Sequence, residues 1–143
     1  MIGLTIRQLW ASMIVDGVKR YEFRDQSTDH RGLFLVRSGA AYEDAVYSLA
    51  PRDKTKDPLR AILGVARLVD VIRITEENVA NLSAGLPRSP TIGGYAWVLE
   101  SPRQLCRPIP FEPKPGAVKW FHTELDLAHV EFIDPTARRT LVC

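Results

Sequence analysis

The spacing of apolar residues predicts a short helix followed by a strand near the amino terminus. The helix is predicted over Arg7–Gly17, where Trp10, Met13 and Ile14 recur at helical spacing and make one face apolar. Gly17 then stands where helices end in a left-handed backbone, which glycine adopts at little cost. The pattern changes to strict alternation over Arg20–Arg24, as in a strand with one apolar and one charged face.

Strand patterns dominate the rest of the chain. Apolar runs predict strands at Leu33–Arg37, Ala61–Arg73, Tyr95–Leu99, Leu105–Ile109, Val118–Phe121 and, more weakly, Val130–Ile133. Two further helices are predicted at Ala41–Leu49 and Thr75–Leu82. Five or six short strands with two or three helices, and no regular alternation of strand and helix, favour an α+β fold built as a small β-barrel.

Composition narrows the class of protein. With 143 residues, 45% of them hydrophobic and 25% charged, the chain is expected to form a single domain with one core. The formal net charge of +2 is small, so any surface that binds a polyanion must be local. Neither a leader pattern nor an apolar run of bilayer length is present, which predicts a cytoplasmic protein without a membrane partner.

Cysteine and histidine residues give no sign of a metal or cofactor site. Cys106 and Cys143 are too few for a disulfide framework, and reduced thiols are expected. His30, His122 and His129 show no ligand spacing relative to them. The sequence therefore predicts no metal and no cofactor.

The candidate chemistry lies in the segment Gly17–Arg24, which reads Gly-x-Lys-x-x-Glu-x-Arg. The cations can hold an anion or a carbonyl oxygen, and the carboxylate can accept protons or the donors of a base edge. Strict alternation would place Lys19 opposite Glu22, but a lysine in the turn before the strand can share a cleft with Glu22 and Arg24. A solvated charged face on an edge strand accounts for the same spacing.

The segment Ile6–Arg24 resembles the opening signature of ASCH (activating signal cointegrator homology) domains. That signature reads Arg-Gln-Pro-Trp-Ala, a helix, and then Gly-x-Lys-x-x-Glu-x-Arg; Leu9 stands where the family has proline. Similar segments follow in the family's order at Thr28–Gly32, Gly64–Val71, Tyr95–Glu100 and Ala117–Phe121. The resemblance covers about residues 3–121 and implies one domain over residues 1–143, with a barrel of the pseudouridine-synthase-and-archaeosine-transglycosylase (PUA) type.

The resemblance implies recognition of a nucleic acid, RNA above all, or of a modified nucleoside in a basic cleft beside the first helix. Arginines and Lys19 would contact phosphates, while Trp10 and Gln8 would lie near a base. The candidate binding residues are Gln8, Trp10, Arg24, Thr28, Arg31, Arg37 and Ser38. A core position for Trp10 and a helix-start role for Gln8 are the structural alternatives.

An enzymatic function is the alternative, with Lys19 and Glu22 as catalytic candidates. Some small bacterial ASCH proteins are amidohydrolases that act on N4-acetylcytidine, and their motif reads Lys-x-x-Thr-x-Arg. Here Glu22 occupies the threonine position, so hydrolysis would need water activated by Glu22 while Lys19 polarises the carbonyl. The same pair can assist attack by an RNA 2′-hydroxyl. A protein-interaction adaptor without a nucleic-acid ligand is a third class.

Overall fold

The computed structural model of the protein describes residues 1–50, 52–117, 119–134 and 143. Within these residues the strands are β1 (Ile2–Gln8), β2 (Tyr21–Arg24), β3 (Gly32–Tyr42), β4 (Ala61–Arg73), β5 (Tyr95–Pro110) and β6 (Trp120–His122). The helices are α1 (Trp10–Val15), α2 (Asp44–Tyr47) and α3 (Val79–Leu82), with single 3-10 turns at Lys54–Lys56 and Leu127–His129.

The six strands form one mixed sheet in the order β2-β5-β4-β3-β1-β6. β1 runs parallel to β3, and the other neighbouring strands are antiparallel. α1 packs against β1, β3, β4 and β5. The fold is therefore α+β, which confirms the predicted class and the predicted number of strands.

Side-chain contacts show that the sheet curls until its two ends approach each other. Arg24 of β2 donates from Nη2 to the carbonyl oxygen of Thr5 in β1, at 3.0 Å. Trp97 of β5 stacks on Trp120 of β6 with ring centroids 5.8 Å apart and planes 11° apart. The edge strands β2 and β6 are not paired through their backbones in the described part of the chain. Side-chain contacts alone therefore hold the two ends of the sheet near each other.

The main core lies inside the curled sheet, beneath α1. Ile14 of α1 is buried with Phe34, Val36 and Leu68 of the central strands. α1 ends as its sequence predicts, because Gly17 has a φ of +86°. The predicted apolar stripe is present, but the helix that carries it begins only at Trp10.

The first strand is the main feature that the sequence interpretation missed. No element is predicted before residue 7, yet Ile2–Gln8 forms β1. Leu4 and Ile6, two residues apart, are buried in the core, which is the alternation expected of a strand. Because β1 extends to Gln8, the helix that was expected over residues 7–17 is confined to Trp10–Val15.

Other differences concern where elements begin and end. The predicted strands Tyr95–Leu99 and Leu105–Ile109 are one continuous strand, since irregularities in the pairing with β4 carry β5 past the polar residues between them. β3 continues to Tyr42, so the helix predicted from residue 41 is reduced to α2. Residues 130–133 supply a single bridge between Phe132 and Leu105 instead of a strand. Val118 lies outside the described residues.

A disulfide joins Cys106 of β5 to Cys143, with their Cα atoms 5.5 Å apart. The expectation of two reduced thiols is therefore wrong for this structure. The two cysteines are 37 residues apart, a spacing that carries no signal of pairing.

None of the described helices is both long enough and apolar enough to cross a membrane.

A buried carboxylate fixes the segment that follows β3. Arg52 donates to both oxygens of Asp57, at 2.8 and 2.9 Å, and the Tyr47 hydroxyl donates to Asp57 at 2.7 Å. Burial alone would raise the pKa of Asp57, but hydrogen bonds from Arg52 and Tyr47 hold it below its ordinary value. These contacts position α2 and Glu43, the residue that precedes it.

We predict that Gly64→Ala destabilises the protein by about 1–3 kcal/mol, because an added methyl group overpacks the core. A Cβ on Gly64 would lie 2.1 Å from the carbonyl oxygen of Arg103 and 3.0 Å from Val15 Cγ1. Gly39→Ala in β3 is the matched control, since its nearest neighbouring atom would be 3.7 Å away. Urea unfolding measures both free energies; equal effects of the two substitutions would contradict the close approach at Gly64.

Candidate functional site

An open cavity of about 200 Å³ lies beside α1 and β2, next to the loop that leads into β5. It contains most of the charged motif that the sequence singles out. Its lining residues are Trp10, Lys19, Glu22, Phe23, Arg24, Asp25, Ile74, Arg88, Ser89, Pro90, Thr91 and Gly94.

Local backbone geometry directs Lys19 into this cavity. The chain leaves α1 through the left-handed Gly17, and the Lys19 amide then donates to the Met13 carbonyl oxygen at 2.9 Å. Lys19 therefore lies in the turn before β2, the position from which its side chain can share a cleft with Glu22 and Arg24. Its side chain is only 2% exposed.

Glu22 is the centre of a group of three charges, in which Lys19 and Glu22 are buried and Arg24 is half-buried. Its Oε1 lies 3.3 Å from Lys19 Nζ, and its Oε2 accepts from Arg24 Nη2 at 3.0 Å. Lys19 also donates to the carbonyl oxygen of Tyr21, and the Phe23 amide donates to Glu22 Oε1 at 3.2 Å. Two cations thus share one carboxylate, and the hydrogen bonds that burial of charge requires are present.

Aromatic rings surround the ammonium group. Lys19 Nζ lies 4.5 Å from the ring centroid of Phe23 and 5.6 Å from that of Trp10, within the range of cation–π attraction. The indole N–H of Trp10 donates to Glu43 Oε2 at 2.7 Å, which fixes the plane of the ring. Trp10 is half-buried and lines the cavity.

Burial lowers the pKa of Lys19 below its ordinary value. The negative charge and hydrogen bond of Glu22 oppose this effect, whereas the nearby positive charge of Arg24 adds to it. Lys19 is therefore easier to deprotonate than a surface lysine.

The group retains hydrogen-bonding capacity toward the cavity. Both bonds of Arg24 that the structure shows come from Nη2, so Nε and Nη1 have no acceptor among the described residues. Glu22 Oε2 accepts a single hydrogen bond in the same part of the chain, which leaves it a lone pair. The cavity floor thus presents donors and an acceptor side by side.

A second cavity, of about 360 Å³, lies on the other side of Lys19. Ile14, Leu99 and Pro102 form much of its lining, together with Arg20 at its edge. It lacks the aromatic rings and the carboxylate–guanidinium pair of the first cavity. The first cavity is therefore the better candidate site, although it is smaller.

Two predicted binding residues are buried structural groups. Gln8 is fully buried; its side-chain amide donates to the Pro58 carbonyl oxygen at 2.9 Å and accepts from the Ser12 amide at 3.1 Å. Ser38 is also fully buried, and its hydroxyl exchanges hydrogen bonds with the backbone of Ala61 at 3.2 Å. Neither side chain lines the cavity, so the structure places these two predicted binding residues away from it.

Arg37 also lies away from the cavity. It is buried, with its guanidinium donating to the Phe111 carbonyl oxygen at 2.7 Å and to Glu112 at 3.2 Å. The sequence predicts Arg37 as a phosphate contact, but the structure does not bring it to the cavity, because its guanidinium is bound to Phe111 and Glu112.

Thr28 and Arg31 belong to a separate turn. The Thr28 hydroxyl accepts from the His30 amide at 3.2 Å. Arg31 donates to the carbonyl oxygens of Thr28 and His30, both at 2.9 Å. Both residues stabilise the turn before β3, and the structure does not bring these two predicted binding residues to the cavity lining.

The structure adds residues that the motif did not reveal. Arg88, Ser89 and Thr91 reach the cavity from the loop before β5, and Asp25 reaches it from the end of β2. Glycine, proline and serine mark residues 85–94 as a loop, but composition does not show where the loop packs. No cluster of three or more potential metal-ligating side chains occurs within the described ranges.

Comparison with known proteins gives structural neighbours only. No protein-family profile and no curated protein matches the sequence. One similar solved structure is a mutant of ZmASCH from Zymomonas mobilis, with a TM-score of 0.44 and 17% identity, covering 76% of this chain and 73% of that chain. Another is ASCH from Zymomonas mobilis, with a TM-score of 0.45 and 17% identity, covering 76% of this chain and 71% of that chain. Both are ASCH proteins, the family that the charged motif resembles.

We predict that Lys19 makes stability rise with pH below its ordinary pKa of 10.5. The folded protein releases this proton at a lower pH than the unfolded chain, so between the two values the unfolded chain binds more protons and the free energy of unfolding increases with pH. Urea unfolding of wild type and Lys19→Met from pH 7 upward measures this effect. The difference between the two free energies of unfolding isolates Lys19, because the other titrating groups contribute to both proteins. A difference that is flat or falls with pH would contradict the burial of a charged Lys19.

Proposed function

We propose that the cavity binds one unstacked nucleobase, either of a free nucleoside or of RNA. The observation that carries this proposal is the group of Lys19, Glu22 and Arg24, which lies beside the half-buried ring of Trp10. Bases that are out of a helix are recognised by stacking on aromatic rings and by hydrogen bonds to their edges. A volume of about 200 Å³ is below that of a typical cavity for a drug-sized ligand and suits a single base.

The arrangement of donors and acceptors favours cytosine. A carboxylate accepts from the exocyclic N4 amine of cytosine. In this cavity the free lone pair on Glu22 Oε2 can take that role, while Arg24 and Lys19 donate to the neighbouring ring nitrogen and carbonyl oxygen. The resemblance of residues 6–24 to ASCH domains supports an RNA or nucleoside ligand. Cytoplasmic location remains a prediction, and the Cys106–Cys143 disulfide does not favour it.

We predict that cytidine binds more tightly than uridine or adenosine. Glu22→Gln is expected to weaken cytidine binding about tenfold, because an amide that carries both a donor and an acceptor replaces the carboxylate that accepts from N4. Trp10→Leu is expected to weaken binding of all nucleosides, since a sequence-tolerant stacking surface is lost. Isothermal titration calorimetry measures these affinities, and circular dichroism checks that each variant is folded.

The control for charge is Glu124→Gln, because Glu124 is exposed and absent from the cavity lining. This substitution should leave cytidine binding unchanged. A folded Glu22→Gln variant that binds cytidine as tightly as wild type would remove Glu22 from recognition. Guanosine binding better than cytidine would keep the cavity as the site and change the base that it selects.

Hydrolysis of N4-acylated cytidine is the second candidate function, favoured by a specific observation: a lysine with a lowered pKa lies 3.3 Å from a carboxylate. Water would add to the acyl carbon, with Glu22 accepting its proton and Lys19 polarising the acyl oxygen. Glu22 would then return the proton to N4 as the C–N bond breaks, which releases cytidine and the carboxylic acid. The RNA-cleaving alternative gains no support, since the described cavity lining contains no histidine.

If the cavity is hydrolytic, wild-type protein releases cytidine from N4-acetylcytidine and Lys19→Met loses this activity, because the acyl oxygen is no longer polarised. Chromatographic detection of cytidine measures the release, and Lys56→Met, at an exposed position outside the lining, is the control. Binding of N4-acetylcytidine without any release would leave base recognition as the function of the site.

A further inference from the structure

Arg88 is the exposed cation at the rim of the cavity. It lies in the loop between α3 and β5, and its side chain is 45% exposed. Its partner among the described residues is Glu43, whose Oε1 accepts from Nη1 at 2.7 Å. The other carboxylate oxygen of Glu43 accepts from the Trp10 indole N–H at 2.7 Å. One rim carboxylate therefore holds both the arginine and the aromatic ring of the site.

The cations of the cavity differ in how easily each can leave its present partner and bind a ligand anion. Lys19 and Arg24 are bound to Glu22 and to backbone carbonyl oxygens inside the protein, so removing them from these partners leaves buried charges unpaired. The Arg88–Glu43 pair is solvent-accessible, and such pairs contribute about 0–1 kcal/mol. A phosphate binds the arginine fork through two oxygens, a geometry that strengthens the interaction. Arg88 is therefore the cation whose whole guanidinium a ligand anion can take over, whereas Arg24 offers only the donors that Glu22 and Thr5 leave unused.

We propose that Arg88 exchanges Glu43 for the phosphate of the ligand, so that the ligand class is a nucleoside monophosphate, either free or as a residue of RNA. This proposal rests on the proposed base-binding function of the same cavity. Glu43 keeps its hydrogen bond to Trp10 during the exchange, because that bond uses its other oxygen. The ring thus stays in place while the arginine turns to the phosphate.

A neighbouring acid limits the number of phosphates. Asp25 lines the same cavity and is exposed, so the rim combines one available arginine with two carboxylates, Asp25 and the Glu43 that pairs with Arg88. A second phosphate near this rim meets a like charge and no further exposed cation of the lining. A single phosphate is therefore preferred over a diphosphate or triphosphate.

The test compares cytidine, cytidine 5′-monophosphate, cytidine 5′-triphosphate and a short oligocytidine RNA by calorimetry. Wild type is expected to bind the monophosphate at least tenfold more tightly than cytidine, and the affinity for the monophosphate, unlike that for cytidine, should fall as salt is raised. Arg88→Gln should abolish the gain from the phosphate, so that this variant binds the monophosphate no more tightly than cytidine. Arg67→Gln, at an exposed position of β4 outside the lining, should change neither affinity.

Glu43→Gln is the second variant, since it removes the competing charge and can still accept from the Trp10 indole. It should strengthen monophosphate binding by about two- to fivefold relative to wild type, the range expected for release of a surface ion pair. Equal binding of cytidine and its monophosphate to wild type would overturn this proposal alone, whereas failure of both to bind would overturn the proposed function as well. Arg88-dependent gain with the oligonucleotide identifies RNA as the source of the phosphate, and gain with the monophosphate alone identifies a free nucleotide.

Discussion

Burial of the Lys19 ammonium is the constraint on which the surrounding structure depends. A charge removed from water needs an opposite charge and hydrogen bonds, and Glu22 and the Tyr21 carbonyl oxygen supply them. Glu22 is held in turn by Arg24, whose guanidinium reaches the Thr5 carbonyl oxygen in β1. These contacts join the turn after α1 to strands from both ends of the sheet. The charges of Lys19, Glu22 and Arg24 therefore stabilise the curled sheet and also form part of the cavity lining.

The cavity separates its charges into an inner set and a rim set. The inner charges compensate one another at close range in surroundings of low dielectric constant, where electrostatic interactions are strong and rearrangement is costly. At the rim, solvent screens the ion pair between Arg88 and Glu43, and exchange of partners costs little. The inner part is thus suited to a neutral polar group such as a base edge, and the rim is suited to an anion.

Local spacing in the sequence reveals the inner set but not the rim. Lys19 and Glu22 lie three residues apart, so a turn followed by a strand brings them together without any long-range contact. Arg88 and Glu43 are 45 residues apart, and only the packing of two loops on α1 makes them partners. Gln8 is the converse case, in which a local pattern suggests a binding role but a long-range contact uses the side chain. Its amide looks available for a base edge, but a backbone carbonyl 50 residues away occupies it, a contact that no local pattern contains.

The carboxylate at position 22 decides which chemistry the inner set supports. In the amidohydrolases that the motif resembles, a threonine stands at this position and the lysine activates it. A neutral hydroxyl here would leave Lys19 and Arg24 without their shared counter-ion, and burial would then favour loss of the lysine proton, the state needed to activate a hydroxyl. Glu22 instead favours the charged ammonium. With glutamate in place, the site presents a fixed hydrogen-bond donor beside a fixed acceptor, and the proposed recognition of a base edge rests on this arrangement.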